Sequence, residues 1–248
     1  MSLDSSKKRW EEMGELDPCW AILSEPGTKY GKWDLEKFFE TGSHEISRLT
    51  AITGKLGLPK QYDWALDFGC GVGRLTRALA LHFKNVIGID ISQSMLREAV
   101  ALNSCTNCQF LLNDSESLPF PTGQFDLIYT ALVLQHVPSQ ESIRRYIAEF
   151  VRVLNTGGLL VMQLPSHVPL RRRLQARPRL YSWLRSAGLS ERLLYRKLGL
   201  HPIPMNFLPE REVVSSIESG GGAILEITAE QRTGPHIPDR TYYASKKH

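Results

Sequence analysis

Three closely spaced glycines that follow a short apolar run are the clearest sign of chemistry in this sequence. Gly69, Gly71 and Gly73 come just after Asp67 and precede a predicted helix that begins at Arg74. A buried strand, a glycine turn and a helix in this order bind nucleotide-like cofactors, because glycines let the backbone approach the ligand and the helix N-terminus presents N–H groups. We therefore expect a cofactor site at this turn.

The spacing of these glycines and the acid before them narrow the choice of ligand. A dinucleotide fingerprint has the form G-x-G-x-x-G, but here Arg74 occupies the third glycine position and Gly73 comes one residue early. The carboxylate of Asp67 would repel a pyrophosphate and attract an ammonium group. A ligand with a ribose, an adenine and an ammonium group, but no phosphate, fits this motif better than NAD.

Two further apolar segments also end in an acid. Residues 85–90 predict a second strand that ends in Asp90, which lies 23 residues after Asp67. A ribose-binding carboxylate is expected at about this distance, after one βα unit. Residues 108–114 predict a third strand that ends in Asp114, whose carboxylate can accept a hydrogen bond from an adenine amino group. Residues 125–130 and 157–164 predict the fourth and fifth strands.

Taken in this order and spacing, the segments resemble the class I S-adenosylmethionine-dependent methyltransferases, of the broad ubiquinone/menaquinone-methyltransferase-like group. The matching segments are residues 66–74, 88–92 with Met95, 113–121, 125–130, 134–137 and 154–158. The resemblance implies S-adenosylmethionine as cofactor, S-adenosylhomocysteine as product, and no metal.

The resemblance also implies a role for individual residues. Asp67 would bind the methionine amino group, while the backbone of Gly69 and Gly71 would approach the cofactor closely. Asp90 would bind the ribose. The residues that would surround the adenine are Ile91, Met95, Asp114 and Ser115. Cys70 lies in the glycine loop and is included in the predicted cofactor site as a small packing residue rather than a nucleophile.

Residues 1–60 precede the first predicted strand of the sheet. Asp34 is a favourable N-cap and predicts a helix that begins after it. Gly42 interrupts this helical pattern, and a second helix is expected over residues 45–52. Residues 30–42 resemble the N-terminal caps of some bacterial small-molecule methyltransferases, which close over the cofactor. Because aromatic faces attract cations, Tyr30 and Trp33 are candidate contacts to the sulfonium; the alternative is that they pack the helix onto the core.

Residues 165–209 interrupt the strand pattern and are strongly basic. They contain nine lysines and arginines and one acid, in a chain whose net charge is only +4. Leucines at helical spacing predict two or three short amphipathic helices that form a lid over the strand ends. Three interpretations of the charge stay open: a solvated face on a lid whose leucines pack down, recognition of an acidic acceptor, or contact with nucleic acid or an anionic membrane surface.

His136 follows the fourth predicted strand and is the leading candidate for a general base. The ordinary pKa of histidine suits proton transfer near neutrality. The same Gln-His pair also occurs in relatives where it supports the geometry of the cofactor and loop, so both roles are considered. His167, His201 and His236 fall in predicted loops that could reach the same cleft.

These elements predict an α/β fold: a Rossmann-like seven-stranded, mostly parallel sheet with an antiparallel last strand and helices on both faces. A helix over residues 210–219 and a hairpin of residues 223–228 and 240–245 close the sheet. We expect a single domain with an N-terminal helical cap (1–60), a cofactor-binding half (61–164), a basic helical lid (165–209) and a C-terminal helix and hairpin (210–248).

Composition excludes several classes of protein. No run of about 18 apolar residues predicts a membrane span, and the polar first nine residues do not predict a secretory signal. The four cysteines are too few and scattered for a disulfide framework. Cys105 and Cys108 form one C-x-x-C pair, but the two further ligands that a structural zinc site needs are not close in the sequence. The expected location is therefore cytoplasmic.

The predicted activity is methyl transfer to a small-molecule acceptor by in-line displacement, on oxygen, nitrogen or carbon. An acidic acceptor would suit the basic lid. Two alternatives stay open: a methyltransferase that acts on RNA or a carrier-bound substrate through residues 165–209, and a cofactor-binding module without catalysis. The sequence Thr130-Ala-Leu-Val after the fourth strand lacks the Asn/Asp-Pro-Pro-Tyr/Phe motif of base N-methylation.

Overall fold

The structure is a computed structural model that describes residues 2–170, 174–234 and 236–246. The helices are α1 (Leu3–Leu16), α2 (Pro18–Ile22), α3 (Leu35–Leu56), α4 (Arg74–Leu79), α5 (Gln93–Leu102), α6 (Gln140–Val153), α7 (Ala176–Ser186), α8 (Glu191–Arg196) and α9 (Glu210–Ser219). The strands are β1 (Trp64–Phe68), β2 (Asn85–Asp90), β3 (Cys108–Leu112), β4 (Phe125–Thr130), β5 (Leu154–Pro165), β6 (Gly222–Glu230) and β7 (Asp239–Lys246). A 3₁₀ turn, Leu134–His136, follows β4.

The strands form one sheet in the order β3-β2-β1-β4-β5-β7-β6. Strands β1 to β5 pair in parallel, whereas β7 is antiparallel to both of its neighbours, β5 and β6. The predicted fold class, with its antiparallel last strand, is therefore confirmed. The chain order reverses between β1 and β4, and open α/β sheets bind ligands beyond the carboxyl ends of the strands at such a point.

The central strands are buried because helices cover both faces of the sheet. Leu66 and Ile128 pack with Phe150 of α6 on one face. Their sequence neighbours Ala65 and Leu127 point to the other face and pack against α3 and α4. This alternation fixes the register of β1 and β4, since a slip of one residue would exchange the two faces.

Helix α3 runs without a break through Gly42, so the prediction of two separate helices was wrong. Asp34 is the N-cap, as predicted, and its side chain accepts from the Lys37 N–H. Gly42 is a point of close packing, because a Cβ there would overlap the carbonyl oxygen of Arg74 at the start of α4. A glycine inside a helix costs only about 1 kcal/mol, which the contact between the two helices offsets.

Helix α1 lies in a segment for which the sequence analysis predicted no helix. The Ser2 side chain caps its N-terminus by accepting from the Ser5 N–H. Further along, Glu11 binds the N-terminus of α5 and accepts from the backbone N–H groups of Gln93 (2.9 Å) and Ser94 (2.7 Å). Helix α1 is thereby held next to the carboxyl end of β2.

The lid contains short helices, as predicted, but its apolar side chains do not all pack inward. Tyr181 of α7 and Tyr195 of α8 are the buried anchors, and their hydroxyls donate to Glu12 (2.7 Å) and Asp17 (2.8 Å) of the cap. Several large apolar residues of this segment are instead exposed: Leu170, Leu174, Leu180, Trp183, Leu193 and Leu198. The interpretation of a lid whose leucines pack down is therefore only partly correct.

The C-terminal region agrees with its prediction. Helix α9 begins and ends at the expected residues, and β6 and β7 form the antiparallel hairpin. Among the described residues, no helix combines the length and the apolar character needed to cross a membrane.

Candidate cofactor and acceptor site

A cavity opens beyond the carboxyl ends of β1, β2 and β4. Its space is about 790 Å³, counting the part open to solvent. The described residues that line it are Leu3, Ser6, Trp10, Ala21, Ile22, Phe68, Gly69, Gly71, Ile89, Asp90, Ile91, Met95, Asn113, Ala131, Leu132, Val133, His136, Val137, Pro138 and Tyr146. The wall is thus mainly apolar, with a few polar groups, which is the usual character of a cofactor or small-molecule site.

The glycine loop forms the floor of this cavity. Gly69 and Gly71 both have positive φ angles, 76° and 53°, in the region that favours glycine. A Cβ on Gly71 would overlap the side chain of Ile22 from the cap, and one on Gly69 would overlap Val133. The loop therefore needs glycine both for its backbone conformation and for the approach of these two side chains.

Asp90 presents its carboxylate to the cavity at the end of β2. One carboxylate oxygen accepts from the Gly71 N–H and the other from the Ser92 N–H, each at 2.9 Å. Burial raises the pKa of Asp90, while these backbone hydrogen bonds act in the opposite direction. The carboxylate is thus held in a fixed orientation, and each oxygen keeps a second lone pair for a ligand.

Asp67 lies beneath the glycine loop and is not among the described lining residues. It is buried, and its carboxylate accepts from the Thr76 hydroxyl at 2.6 Å. Burial raises its pKa to about 6, against the effect of the Thr76 hydrogen bond and of the nearby Arg74. Contact with the methionine amino group stays a prediction for this residue.

The predicted adenine residues divide into two groups. Ile91 and Met95 line the cavity. Asp114 and Ser115 do not: β3 ends at Leu112, and the Asp114 side chain is 53% exposed and forms an ion pair with Lys7 at 2.6 Å. Their contact with adenine stays a prediction, and Asn113 is the polar residue that this loop contributes to the wall.

Tyr30 and Trp33 lie outside the cavity. The Tyr30 ring packs against Tyr195 at 5.3 Å, and the Trp33 indole N–H donates to the Leu23 carbonyl at 3.0 Å. These contacts join parts of the cap and lid to each other, which is the packing alternative weighed above. Contact of either ring with the cofactor stays a prediction.

Helix α1 instead supplies the cap residues that line the cavity. Leu3, Ser6 and Trp10 lie on one helix face, and Met13 continues that face into a buried cluster. Their spacing of three and four residues is the helical signal that was available in the sequence. The many charged residues between them concealed it.

His136 lines the cavity next to Trp10, with their ring centroids 5.4 Å apart. Its Nδ1 lies 2.8 Å from the Pro204 carbonyl oxygen, so Nδ1 carries the proton and donates to that oxygen. Burial lowers the pKa of His136 to about 4 despite this hydrogen bond. The ring is therefore neutral at pH 7, and Nε2 is left as a hydrogen-bond acceptor.

The other histidines are not among the described lining residues. His167 packs against Phe207 at 5.8 Å, His201 lies 6.0 Å from Trp20, and His236 is exposed. The structure therefore brings His136 alone of these four into the cavity wall.

Cys70 is buried in the glycine loop but does not line the cavity, and its side chain faces Gly88 of β2. Burial raises the pKa of its thiol well above the ordinary value, so the thiol stays protonated. Among the described residues, no group of histidine, cysteine and acidic side chains is arranged to hold a metal ion.

Comparisons with known proteins agree with this geometry. Residues 66–162 match a family model described as a methyltransferase domain. Over these residues the chain is similar to that methyltransferase family. The matched residues run from β1 through β5, so they include the glycine loop, Asp90 and His136.

Two curated methyltransferases are similar to this one in sequence. The 2-methyl-6-phytyl-1,4-hydroquinone methyltransferase of Synechocystis is 29% identical over 65% of this chain and 50% of its own length. The demethylmenaquinone methyltransferase of Tropheryma whipplei is 38% identical over 41% of each chain. This chain thus spans about half the length of the curated relatives that it matches.

A solved structure extends the likeness to nearly the whole chain. Magnesium protoporphyrin IX methyltransferase from Synechocystis, with bound S-adenosylhomocysteine, has a TM-score of 0.62 and covers 97% of this chain and 98% of its own. At 17% identity, this likeness concerns the fold. S-adenosylmethionine is the cofactor of the family, and the roles of Asp90 and of the glycine loop in binding it stay predictions.

Proposed function

We propose that this protein transfers a methyl group from S-adenosylmethionine to a small and largely apolar acceptor. The observation that carries this proposal is the charge of the cavity wall. Its described lining residues include one carboxylate, that of Asp90, and no lysine or arginine. A dinucleotide would place its phosphates there without a cationic partner, whereas a cationic cofactor without phosphate would meet a carboxylate and aromatic faces.

S-adenosylmethionine supplies, when bound, a methyl group on a sulfonium that leaves as a neutral thioether. The task of the protein is then to align the acceptor and exclude water. Trp10 and Ile22 cover the cavity from the cap side, and Val133 and Val137 cover it from the loop after β4. These apolar walls favour an aromatic or otherwise apolar acceptor.

His136 positions the acceptor in this proposal. A general base is most effective when its pKa lies near the working pH, and the pKa of His136 is about 4. Its neutral Nε2 can accept a hydrogen bond from a hydroxyl or amine of the acceptor and so orient the lone pair that attacks the methyl carbon. The acceptor proton, where one is lost, then passes to solvent after transfer.

Calorimetric titration with S-adenosylmethionine, S-adenosylhomocysteine and NAD tests the cofactor assignment. We expect micromolar binding of the first two and none of NAD. Asp90→Ala should weaken the binding of both by at least about tenfold, the worth of one charge-assisted hydrogen bond, while the circular dichroism spectrum stays unchanged. Asp114→Ala is the matched comparison; a loss below about threefold would exclude Asp114 from the adenine site. NAD binding, or unchanged affinity in Asp90→Ala, would contradict the assignment.

A screen of hydroquinones and phenols, with S-adenosylhomocysteine formation as the readout, tests the acceptor class. We expect turnover to rise with the apolar surface of the acceptor. Tight cofactor binding without turnover on any small acceptor would instead favour a cofactor-binding module. Turnover on RNA alone would favour the macromolecular alternative.

A further inference from the structure

Exposed apolar side chains are concentrated on the lid. The large hydrophobic residues of the described chain that are exposed include six between positions 170 and 198. Trp183 is 66% exposed and Leu170 is 72% exposed. Exposed apolar groups that lie together on a protein surface often mark a site of interaction with a protein or a membrane.

On α7, basic and apolar side chains share the outward face. Tyr181 is the buried residue of this helix. Arg179 and Leu180 precede Trp183 by four and three residues, so the three side chains lie together on the helix surface. All three are exposed, and Arg179 and Trp183 lie on the side of α7 opposite to Tyr181.

Helix α8 has the same arrangement. Leu194 and Tyr195 are buried, while Arg192, Leu193 and Arg196 are exposed at spacings of one, three and four residues. They therefore form the outward face of α8. We call the exposed residues Arg179, Leu180, Trp183, Arg192, Leu193 and Arg196 the outer lid surface.

The inward faces of the two helices keep this surface directed away from the protein. Tyr181 and Leu194 belong to one buried cluster that joins α7 to α8. The Tyr181 and Tyr195 hydroxyls bind acids of the cap, and Arg185 forms an ion pair with Glu12 at 3.2 Å. The lid is thus anchored on one side, and its opposite side presents arginines and apolar groups to solvent.

The arginines of the outer lid surface lack acidic neighbours that would neutralise them. Arg179, Arg192 and Arg196 form no ion pair with any of the described residues. In the sequence, residues 165–209 carry nine basic residues and one acid, although the whole chain has a net charge of only +4. A partner whose charge complements this surface is therefore anionic.

We propose that the outer lid surface binds the surface of an anionic phospholipid bilayer. Arginines would bind the lipid phosphates, while Trp183 and the two leucines would enter the boundary between headgroups and acyl chains, as in interfacial amphipathic helices. Nucleic acid explains the arginines but not the exposed leucines, since base recognition uses aromatic stacking and hydrogen bonds. A bilayer is the partner that uses both kinds of side chain.

This surface is linked to the cavity by the chain that leaves α8. That chain reaches Pro204, whose carbonyl accepts from His136, and Asn206, whose N–H donates to the Gln135 carbonyl at 2.6 Å. A lid seated on a bilayer would therefore place the cavity near apolar molecules dissolved in it. This last step, unlike membrane binding itself, rests on the proposed function.

Sedimentation with lipid vesicles tests the proposal without any use of cofactor or acceptor. The full chain should bind vesicles of phosphatidylglycerol and phosphatidylcholine in equal parts, and should bind pure phosphatidylcholine at least about tenfold more weakly. Each arginine replaced by glutamate, in R179E or R196E, should lower the partition coefficient by about fivefold or more, the worth of one basic residue near an anionic surface. Binding should also weaken as salt rises from about 50 to about 500 mM.

Substitution of the apolar residues separates a bilayer from another polyanion. L180S/W183S should lose most of its vesicle binding, whereas L180I/W183F should retain it. R97E on α5 and L81S after α4 are matched exposed controls and should bind as the unsubstituted protein does. Three results would overturn the proposal: the protein does not bind anionic vesicles at low salt, L180S/W183S binds them as well as the unsubstituted protein does, or RNA fragments bind with greater affinity and independently of Trp183.

Discussion

Replacing Glu45 by glutamine should destabilise the fold strongly, because this one carboxylate binds both the buried guanidinium of Arg74 and the half-buried guanidinium of Arg232. Glu45 on α3 forms ion pairs with Arg74 at 2.9 Å and with Arg232 at 2.6 Å. The hydroxyl of Tyr129 on β4 also donates to it at 2.6 Å. These contacts join the cap, the start of α4 and the loop after β6 on one face of the sheet.

The size of the effect follows from the pKa of this carboxyl group. Burial alone would raise the pKa of Glu45, but Arg74 and Arg232 outweigh it and hold the pKa at about 2, against an ordinary 4.5. Since one pKa unit corresponds to about 1.36 kcal/mol, the charged form is stabilised by roughly 3 kcal/mol. Removal of one partner from a buried pair typically costs about 3–5 kcal/mol, so the two magnitudes agree.

Urea unfolding of Glu45→Gln and the unsubstituted protein at pH 7 is the assay. We expect a loss of about 3 kcal/mol in the free energy of unfolding, or roughly 6–12 °C in the melting temperature of a chain of this size. Because the folded pKa lies below the unfolded one, this stabilisation is complete above about pH 4.5 and is lost as the pH falls toward 2. At about pH 3 the difference should therefore be less than half of its value at pH 7.

The exposed Glu40 on the same helix provides the control, and Glu40→Gln should change stability by less than about 0.5 kcal/mol. Two results would refute the reasoning. One is a loss below about 1 kcal/mol in Glu45→Gln at pH 7. The other is a difference between the variant and the unsubstituted protein that does not shrink in acid.

Three further predictions concern the cap, the site and the lid. Glu11→Ala should release α1 from α5, raise hydrogen exchange in α1, and weaken cofactor binding by about tenfold or more; unchanged exchange would refute this role. His136→Ala should lower turnover at saturating cofactor. Because the pKa of His136 is about 4, the rate of the unsubstituted enzyme should not change between pH 5 and 8 through titration of this residue. A rate change with a midpoint in that range that is lost in His136→Ala would contradict this prediction. Lys29→Gln should loosen the lid, because the Lys29 ammonium lies 4.5 Å from the Tyr195 ring of α8 and 4.7 Å from the Trp20 ring of the cap; faster limited proteolysis within the lid, with unchanged global unfolding, is the expected readout.

The cofactor half is the part of the fold that the sequence predicted best. β2 and β4 have the predicted bounds, because continuous apolar runs closed by glycine or polar residues are a local signal of buried parallel strands. Gly69, Gly71 and Asp90 lie in the predicted cavity wall. Strand order in this fold makes the ends of β1 and β2 meet, so local patterns were sufficient to bring these residues together.

The cap and lid could not be predicted to the same depth, because their contacts are made between distant segments. Gly42 looks like a helix breaker in isolation, and only the approach of Arg74 explains why a continuous helix tolerates it. Similarly, Asp114 was predicted to end the third strand, but β3 ends at Leu112, and the pairing of Asp114 with Lys7 depends on where α1 docks.

The sequence by itself determined the sheet, the glycine turn, the acid in the cavity wall and the resemblance to methyltransferases, since each depends on residue types at short and regular spacing. Only the tertiary structure decided which aromatic ring lines the cavity, which ring nitrogen of His136 carries the proton, and which apolar residues of the lid face water. Those properties depend on long-range packing: Trp10 reaches the site because Glu11 holds α1 on α5, and the Pro204 carbonyl fixes the tautomer of a histidine 68 residues away.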